Sequence, residues 1–283
     1  MTPRTLHGQR AVVTGASGAL GSATTAALRA HGAVVAGLDL VGGDDFIACD
    51  VRDIDSVTAA VQRARMQLGG IDAVVHFAGI GVPTSAGAQP GDVVLRTVDI
   101  NLVGPWRVTA ACIDDIVEQR GRVVFVASQL AYATIPFAAA YTASKRGLAA
   151  YADSLRAEYG SHVGVTTVYP GYIRTPIHDA SIAAGLSLES TTRPQSPADV
   201  VNTVLRALTA ARPPRDLACT ALGRFELAAS RHLPRTVDAV IRQRLRRDLA
   251  RGRHTAAPLA AAMRARLGFP DPAATALTEE RIA

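Results

Sequence analysis

Arg10-Ala11-Val12-Val13-Thr14-Gly15-Ala16-Ser17-Gly18-Ala19-Leu20-Gly21 is the stretch that decides the fold of this chain. Its first five residues are a short apolar run with β-branched side chains, the character of a buried strand. Three glycines follow at once, and Leu20 to His31, rich in alanine, reads as a helix. Strand, glycine loop and helix in that order predict a phosphate-binding turn. Glycine lets the backbone approach a pyrophosphate, and a helix N-terminus offers free N–H groups and a partial positive charge. The candidate contacts are Gly15, Ser17, Gly18, Ala19, Leu20 and Gly21.

Working outward, the alternation of strand and helix continues. Ala33 to Leu40 is a second strand that ends in Asp39, eighteen residues after Gly21. A carboxylate near this spacing accepts hydrogen bonds from the adenosine ribose and repels a 2′-phosphate. Leu40 and not arginine comes next, and Gly18 carries no charge, so the expected cofactor is NAD and not NADP. Phe46 to Val51 is a third strand, with Asp50 and Val51 bordering the adenine. Asp53 to Leu68 is a helix with Asp53 as N-cap. Ile71 to Gly79 is a fourth strand, and Gly81 to Pro90 a loop. A long helical segment from Asp92 to Glu118 contains Asn101, and Pro105 predicts a kink in it. Gly121 to Ser128 is a fifth strand with Ser128 at its carboxyl end. Ala139 to Tyr159 is a helix, Val163 to Gly171 a sixth strand, and Ala198 to Ala211 a helix with Ser196 or Pro197 near its start. Asp216 to Thr220 is a short seventh strand. The pattern predicts an α/β fold: a doubly wound, mostly parallel sheet with helices on both faces and the ligand at the carboxyl ends of the strands.

Composition limits the alternatives. Of 283 residues, 48% are hydrophobic and 19% charged, enough apolar material for a sizeable core and too much for a disordered chain. No apolar run reaches membrane-spanning length, and Met1 to Arg10 has no apolar signal-peptide core, so the expected location is cytoplasmic. Three cysteines and seven histidines show no disulfide framework or ligand spacing, and no metal is expected. The net charge of +6 is uneven. From Arg193 onward there are 16 arginines against eight acids, so the basicity belongs to the C-terminal third.

Tyr141-Thr142-Ala143-Ser144-Lys145 holds the only lysine among 30 basic residues. A chain that uses arginine everywhere else has kept an ammonium at one point, where a compact charge on a flexible stem is needed. Tyr141, four residues earlier, shares its helix face. A phenol with a pKa near ~10 is a poor base at neutral pH. A nearby ammonium stabilises the phenolate, and a depression of two to three units needs roughly 3–4 kcal/mol. Tyr141 therefore reads as an acid–base group. Ser128 reads as the hydrogen-bonding partner of a substrate oxygen, beside a nicotinamide that exchanges hydride with the substrate carbon.

Thr14-Gly15-Ala-Ser-Gly18-Ala-Leu-Gly21, Asp50-Val51, Phe77-Ala78-Gly79, Asn101, Ser128, Tyr141-x-x-x-Lys145 and Pro170-Gly171 with Thr175 together resemble the short-chain dehydrogenase/reductase family over residues 8 to 222. The resemblance implies a Rossmann-type catalytic domain over residues 1–222 and an NAD-dependent oxidoreductase that interconverts a secondary alcohol and a ketone. It implies Tyr141 as acid/base and Ser128 as the substrate-orienting group. Lys145 would hold the nicotinamide ribose and lower the tyrosine pKa, and Asn101 would support a water that relays protons to the lysine. It adds Ala78, Gly79, Pro170, Gly171, Ile173 and Thr175 to the cofactor contacts. It also implies a homodimer or homotetramer formed through the Asp92 and Ala139 helices. Two departures stand out. Ala19 takes the middle glycine position and Gly18 stands one residue earlier, a spacing similar to the extended branch of sugar epimerases and dehydratases. An NAD-dependent epimerase or dehydratase is thus one alternative, and a non-catalytic dinucleotide-sensing protein another. His76 replaces an asparagine of the family's turn and is expected to be structural.

Tyr172 to Gln195 falls where the family carries its substrate lid, and Ile173, Ile177, Ile182, Leu186 and Leu188 make it apolar, which suits a hydrophobic substrate. Residues 223–283 form an expected basic helical extension. Thr236 to Arg251 reads as a helix with Val237, Ile241, Leu245 and Leu249 in one stripe opposite a dense arginine face. Packing on the domain or a partner subunit is the expectation. An anionic membrane surface and a solvated face are the alternatives. No nucleic-acid reading motif is present, so no nucleic-acid partner is expected. Pro270 to Ala283 is expected to be loosely ordered.

Overall fold

The apolar runs become the strands of one sheet in the computed structural model, which describes residues 4–186, 194–255 and 257–269. The strands are β1 (Arg10–Thr14), β2 (Val34–Asp39), β3 (Phe46–Ala48), β4 (Ala73–His76), β5 (Arg122–Val126), β6 (Gly164–Tyr169) and β7 (Asp216–Ala218). Their order is β3-β2-β1-β4-β5-β6-β7, and every neighbouring pair is parallel. The order reverses between β1 and β4, the point at which a doubly wound sheet opens a crevice at its carboxyl edge.

The helices are α1 (Ala19–Ala30), α2 (Ile54–Leu68), α3 (Asp92–Val98), α4 (Gly104–Glu118), α5 (Ala139–Tyr159), α6 (Asp179–Ala183), α7 (Pro197–Thr209), α8 (Ala221–His232), α9 (Pro234–Ala250) and α10 (Ala261–Arg266). Side chains alternate across each strand. Val12, Val74 and Val123 pack with α2, α4 and α5 through Val61, Val108, Ile116 and Leu148. Val13, Val75 and Val124 pack with α1 and α7 through Leu28, Val200, Val204 and Leu208. Both faces are buried, so the runs are continuously apolar where a one-sided sheet would alternate.

The third strand is shorter than its apolar run. It stops at Ala48: the Cys49 N–H makes a last bond to Asp39 O of β2 at 2.7 Å, and the Asp50 N–H turns away to the Ser56 hydroxyl at 3.0 Å. The kink expected at Pro105 takes the form of a π-helical turn, Asp99–Val103, between α3 and α4. The N–H of Gly104 reaches back five residues to Asp99 O, and Pro105 has no N–H to give to the next carbonyl. The irregular turn holds Asn101 fully buried.

Helix α8 begins one residue before position 222, ahead of the expected extension. Thr220 caps it by accepting from Gly223 N–H at 3.0 Å. Its Arg231 pairs with Asp216 at 3.0 Å, donates to the Tyr169 hydroxyl and lies 4.4 Å from the Tyr132 ring centre. The start of the expected extension is therefore docked on β6 and β7. Leu188 and the stretch Pro270 to Ala283 lie outside the described residues. No helix of the described residues is long and apolar enough to cross a membrane.

Candidate active site

At the carboxyl end of β1 the chain turns tightly. Gly15 has φ +66°, and a Cβ there would sit 2.7 Å from the Ala78 nitrogen. A Cβ on Gly21 would lie 2.0 Å from Gly15 O, so neither position takes a side chain without moving backbone. Gly18 differs. It has φ −67° and ψ 160°, and an added Cβ would meet only Gly15 O at 3.3 Å. The two glycines demanded by the backbone are therefore Gly15 and Gly21, and the shifted middle glycine follows no structural requirement. Ala19, Leu20 and Gly21 open α1, where N–H groups have no intrahelical acceptor, and the Gly18 N-cap offers no side chain to satisfy them. The Asp39 carboxylate stands beside this loop, accepting from Ser17 N–H at 2.9 Å and from Leu40 N–H at 2.8 Å.

Asn101 is a clamp. Its Oδ1 accepts from Ile80 N–H at 2.8 Å, and its Nδ2 donates to Ile80 O at 2.9 Å and to Ser144 Oγ at 3.0 Å. It thereby ties the turn after β4 to α5. A Cβ added to Gly79 would lie 3.1 Å from Asn101 Oδ1 and 3.5 Å from Lys145 Nζ. Lys145 is buried and donates to Val126 O at 2.9 Å. Burial lowers its pKa to about 8. Two of its three N–H bonds remain for other acceptors. Its Nζ lies 5.8 Å from the centre of the Tyr141 ring. Ser128, at the end of β5, accepts from Leu130 N–H at 3.2 Å, and its hydroxyl is near enough to the Tyr141 phenol to act on its pKa.

The net effect on Tyr141 is opposite to the depression expected from its lysine. Burial raises the phenol's pKa, and the nearby Ser128 hydroxyl opposes it only in part. The Lys145 ammonium, with one N–H bonded to the Val126 carbonyl, does not reverse that rise.

The remaining predicted positions fall at the same sheet edge with different partners. The Asp50 carboxylate is taken by Arg52 at 2.6 Å, which holds its pKa below the usual carboxylate value. Val51 packs where Gly104 leaves room for it. Ala78 donates its N–H to Thr14 Oγ1 at 3.3 Å. The Pro170 carbonyl accepts from Gln129 N–H at 2.9 Å, and Gly171 donates to Gln195 Oε1 at 3.0 Å. Ile173 turns into the core beside α7, and Thr175 opens a short 3-10 turn, Pro176–His178. His76 is structural as expected: it stacks on Phe125 at 4.9 Å, its Nε2 meets Thr109 Oγ1 at 3.0 Å, and burial drops its pKa to about 3. Among the described residues no cluster of three or more metal-ligating side chains occurs.

A cleft of about 460 Å³ opens beside Tyr141. Its inner wall is apolar: Val82, Pro83, Leu130, Phe137, Ile177 and Leu186. Phe137 has φ +64°, an uncommon strain for a bulky residue, and its carbonyl accepts from Thr84 N–H at 2.8 Å. The outer wall comes from α9 and the turn after it, through Ile241, Leu245, Arg244, Arg247 and Arg251. The sequence shows the stripe of α9 but not its destination, because its partners lie about a hundred residues earlier. The lid and tail meet where Leu186 packs with Ala257 and Ala260, against Phe137 and Met263.

The family model described as short chain dehydrogenase matches residues 9–184. The chain belongs to the short-chain dehydrogenase/reductase family of oxidoreductases. Oxidoreductase UcpA of Salmonella typhimurium is 30% identical over 223 residues, 72% of this chain and 81% of that one. Several other curated relatives are matched over only about half of their own length. A short chain dehydrogenase from Mycobacterium paratuberculosis bound to NAD aligns with TM-score 0.68 and 25% identity, over 76% of this chain and 97% of that one. A short chain dehydrogenase from Burkholderia cenocepacia in complex with NADP has the same fold, with TM-score 0.72 and 22% identity over 84% of this chain and 99% of that one.

Proposed function

We propose that this oxidoreductase interconverts a secondary alcohol and a ketone with NAD, and that Tyr141 is its acid/base. The observation that carries the reading is the Tyr141 phenol on the wall of a cleft with an apolar inner side, near the Ser128 hydroxyl and with its ring centre 5.8 Å from the ammonium of the one lysine of the chain. The residues at the sheet edge fit a dinucleotide. Neither Gly15 nor Gly21 has room for a side chain, the start of α1 presents N–H groups to a pyrophosphate, and Lys145 keeps two donors for ribose hydroxyls. The nicotinamide, when bound, supplies or accepts the hydride.

This chain's own residues handle the proton. At neutral pH the raised phenol is protonated and Lys145, with a pKa of about 8, is mostly charged. That state gives a proton to a carbonyl oxygen held by Ser128, the step that ketone reduction needs. Alcohol oxidation needs the phenolate, so its rate rises with pH while the ammonium keeps its charge. Asn101 acts on this chemistry by fixing the Ile80 turn and Ser144 around the lysine.

Solved structures of the same fold carry NAD in one case and NADP in another. The preference for NAD therefore rests on Asp39, whose carboxylate faces the loop with Leu40 and Val41 exposed beside it and no cation next in the chain. Assembly through α4 and α5 belongs to the same reading. It is supported by Trp106, which is 54% exposed and stacks on Tyr151 at 4.6 Å. Three free cysteines suit a reducing cytoplasm. The test is a panel of ketones and alcohols with both cofactors, followed by absorbance of the reduced nicotinamide. Net cofactor conversion that Tyr141→Phe abolishes is the expected result. Substrate turnover with no net conversion would mean an epimerase or dehydratase, and dinucleotide binding without any turnover would mean a sensor.

A further inference from the structure

The arginines of α9 call for a reason. Arg244 and Arg247 of α9 and Arg251, which caps its C-terminus, follow one another at steps of three and four, so they fall along one side of the helix. That stripe runs beside Ile241 and Leu245 and lines the cleft that also holds Tyr141. Arg253 lines it too, but its guanidinium is bonded to Asp248 at 2.8 Å. Asp248 is the only carboxylate among the described lining residues. Among the described residues, Arg244, Arg247 and Arg251 have no acidic partner. Three uncompensated cations on one wall of a cleft set up a positive potential focused on whatever enters it.

The cofactor does not account for this charge. Gly15 to Gly21 and Asp39, the residues suited to its phosphates and ribose, are absent from the cleft lining. A plain solvated face does not account for it either. Arg235, Arg242 and Arg246 are the arginines of α9 that stay off this wall, so the helix has surface enough to carry charge elsewhere. Apolar residues, Val82, Pro83, Leu130, Phe137 and Ile177 among them, line the same cleft, and Leu186 joins them to the tail through Ala257 and Ala260. The cleft thus has a reactive phenol, an apolar body and a cationic outer side.

We propose that α9 is the polar half of the substrate pocket, and that the substrate is an apolar ketone or alcohol carrying an anionic group, a carboxylate or a phosphate, held by Arg244, Arg247 and Arg251. The proposal names the substrate class of the site described above and rests on that reading for the reaction, though not for the binding. Guanidinium groups take carboxylate and phosphate oxygens in pairs, which fixes the far end of such a molecule while its carbonyl end meets Tyr141.

The test is binding, measured by calorimetry on the full chain with decanoate, decyl phosphate and methyl decanoate as probes. The comparison is between wild type and the combined Arg244→Gln, Arg247→Gln and Arg251→Gln variant. Wild type is expected to hold the anions about tenfold or more tightly than the ester, with the gap closing as salt is raised and closing in the glutamine variant. The corresponding triple lysine variant, which keeps the charge, should restore much of the gap and shows that loss in the glutamine variant is not misfolding. Decanoate preferred to decyl phosphate assigns the anion as a carboxylate, and the reverse as a phosphate. Equal or absent binding of all three probes in wild type overturns the proposal, as does an anion preference that survives in the glutamine variant. The readout needs no turnover. An enzyme that reduces neutral ketones with no anion preference therefore refutes this inference and leaves the proposed reaction standing. Anion binding without ketone turnover does the opposite.

Discussion

Lys145→Met should make the protein more stable while removing its activity. The ammonium is buried, and desolvation pulls its pKa from 10.5 to about 8. A drop of that size corresponds to about 3 kcal/mol by which the folded state disfavours the charged form. Methionine fills a similar volume with no charge. It gives up the bond to Val126 O, and an unpaired buried carbonyl costs ~1 kcal/mol. The net gain is about 2 kcal/mol, or a Tm higher by about 5 °C for a chain of this size. The sign with pH follows from the direction of the shift. Below pH 8 both folded and unfolded states hold the proton and the full penalty applies. Between pH 8 and 10.5 the unfolded state holds it more firmly, so wild-type stability rises with pH relative to the variant. The assay is thermal unfolding of both proteins at pH 7 and at pH 9.5, with turnover measured alongside. A variant that is less stable at pH 7, or a gap that does not narrow on raising the pH, would refute the claim that this ammonium is kept against its desolvation cost.

Four further outcomes follow from the geometry. Gly21→Ala drives a methyl to 2.0 Å from Gly15 O and should cut dinucleotide affinity at least tenfold, whereas Gly18→Ser, at negative φ, should leave it near wild type; equal effects in fluorescence titration would sink the cradle argument. Asp39→Ala should erode the ratio of kcat/KM for NAD over NADP, and an unchanged ratio would remove the carboxylate from cofactor choice. Trp106→Glu should yield monomers in light scattering, and unchanged assembly would exclude the α4 face. His76, with its pKa lowered to about 3, stays neutral in the fold but takes a proton at pH 5 once unfolded, so it contributes a stability loss of about 2 kcal/mol between pH 6.5 and pH 5. Denaturant titrations of His76→Asn should lack that slope, and an equal slope would place the titrating group elsewhere.

Most of the sheet was legible because both of its faces are covered. Short runs rich in β-branched residues and bounded by turn signals read as buried strands, and β1, β2, β4, β5 and β6 all have that form. Helix ends were legible where chemistry marks them. Asp53 caps α2 by accepting from Asp55 N–H at 2.9 Å, and Ser196 with Asp199 makes a capping box at α7. The pair Tyr141 and Lys145 was legible from rarity and helical spacing. Two things were not. A shift in glycine position looks like a different branch until φ angles show that only Gly15 and Gly21 need to be glycine. The sign of the Tyr141 shift depends on how much water is excluded from the phenol, and sequence does not record burial.

The C-terminal third shows where the limit of reading lies. Its apolar stripe and arginine stripe are both visible as periodicities, yet each is compatible with a subunit contact, a lipid surface or plain solvation. What decides between them is the neighbour, and the neighbours are Phe137, Leu186 and the cleft beside Tyr141. Once α9 lies there, Ile241 and Leu245 extend the apolar wall and Leu249 is buried. The arginines are then no longer a property of the tail alone. They become part of the environment of the phenol, on a helix that a catalytic domain ending at β7 would not possess. On the substrate class proposed above, the basic charge of this chain bears on which molecules reach the site, whereas the strands and glycines bear on what happens once they arrive.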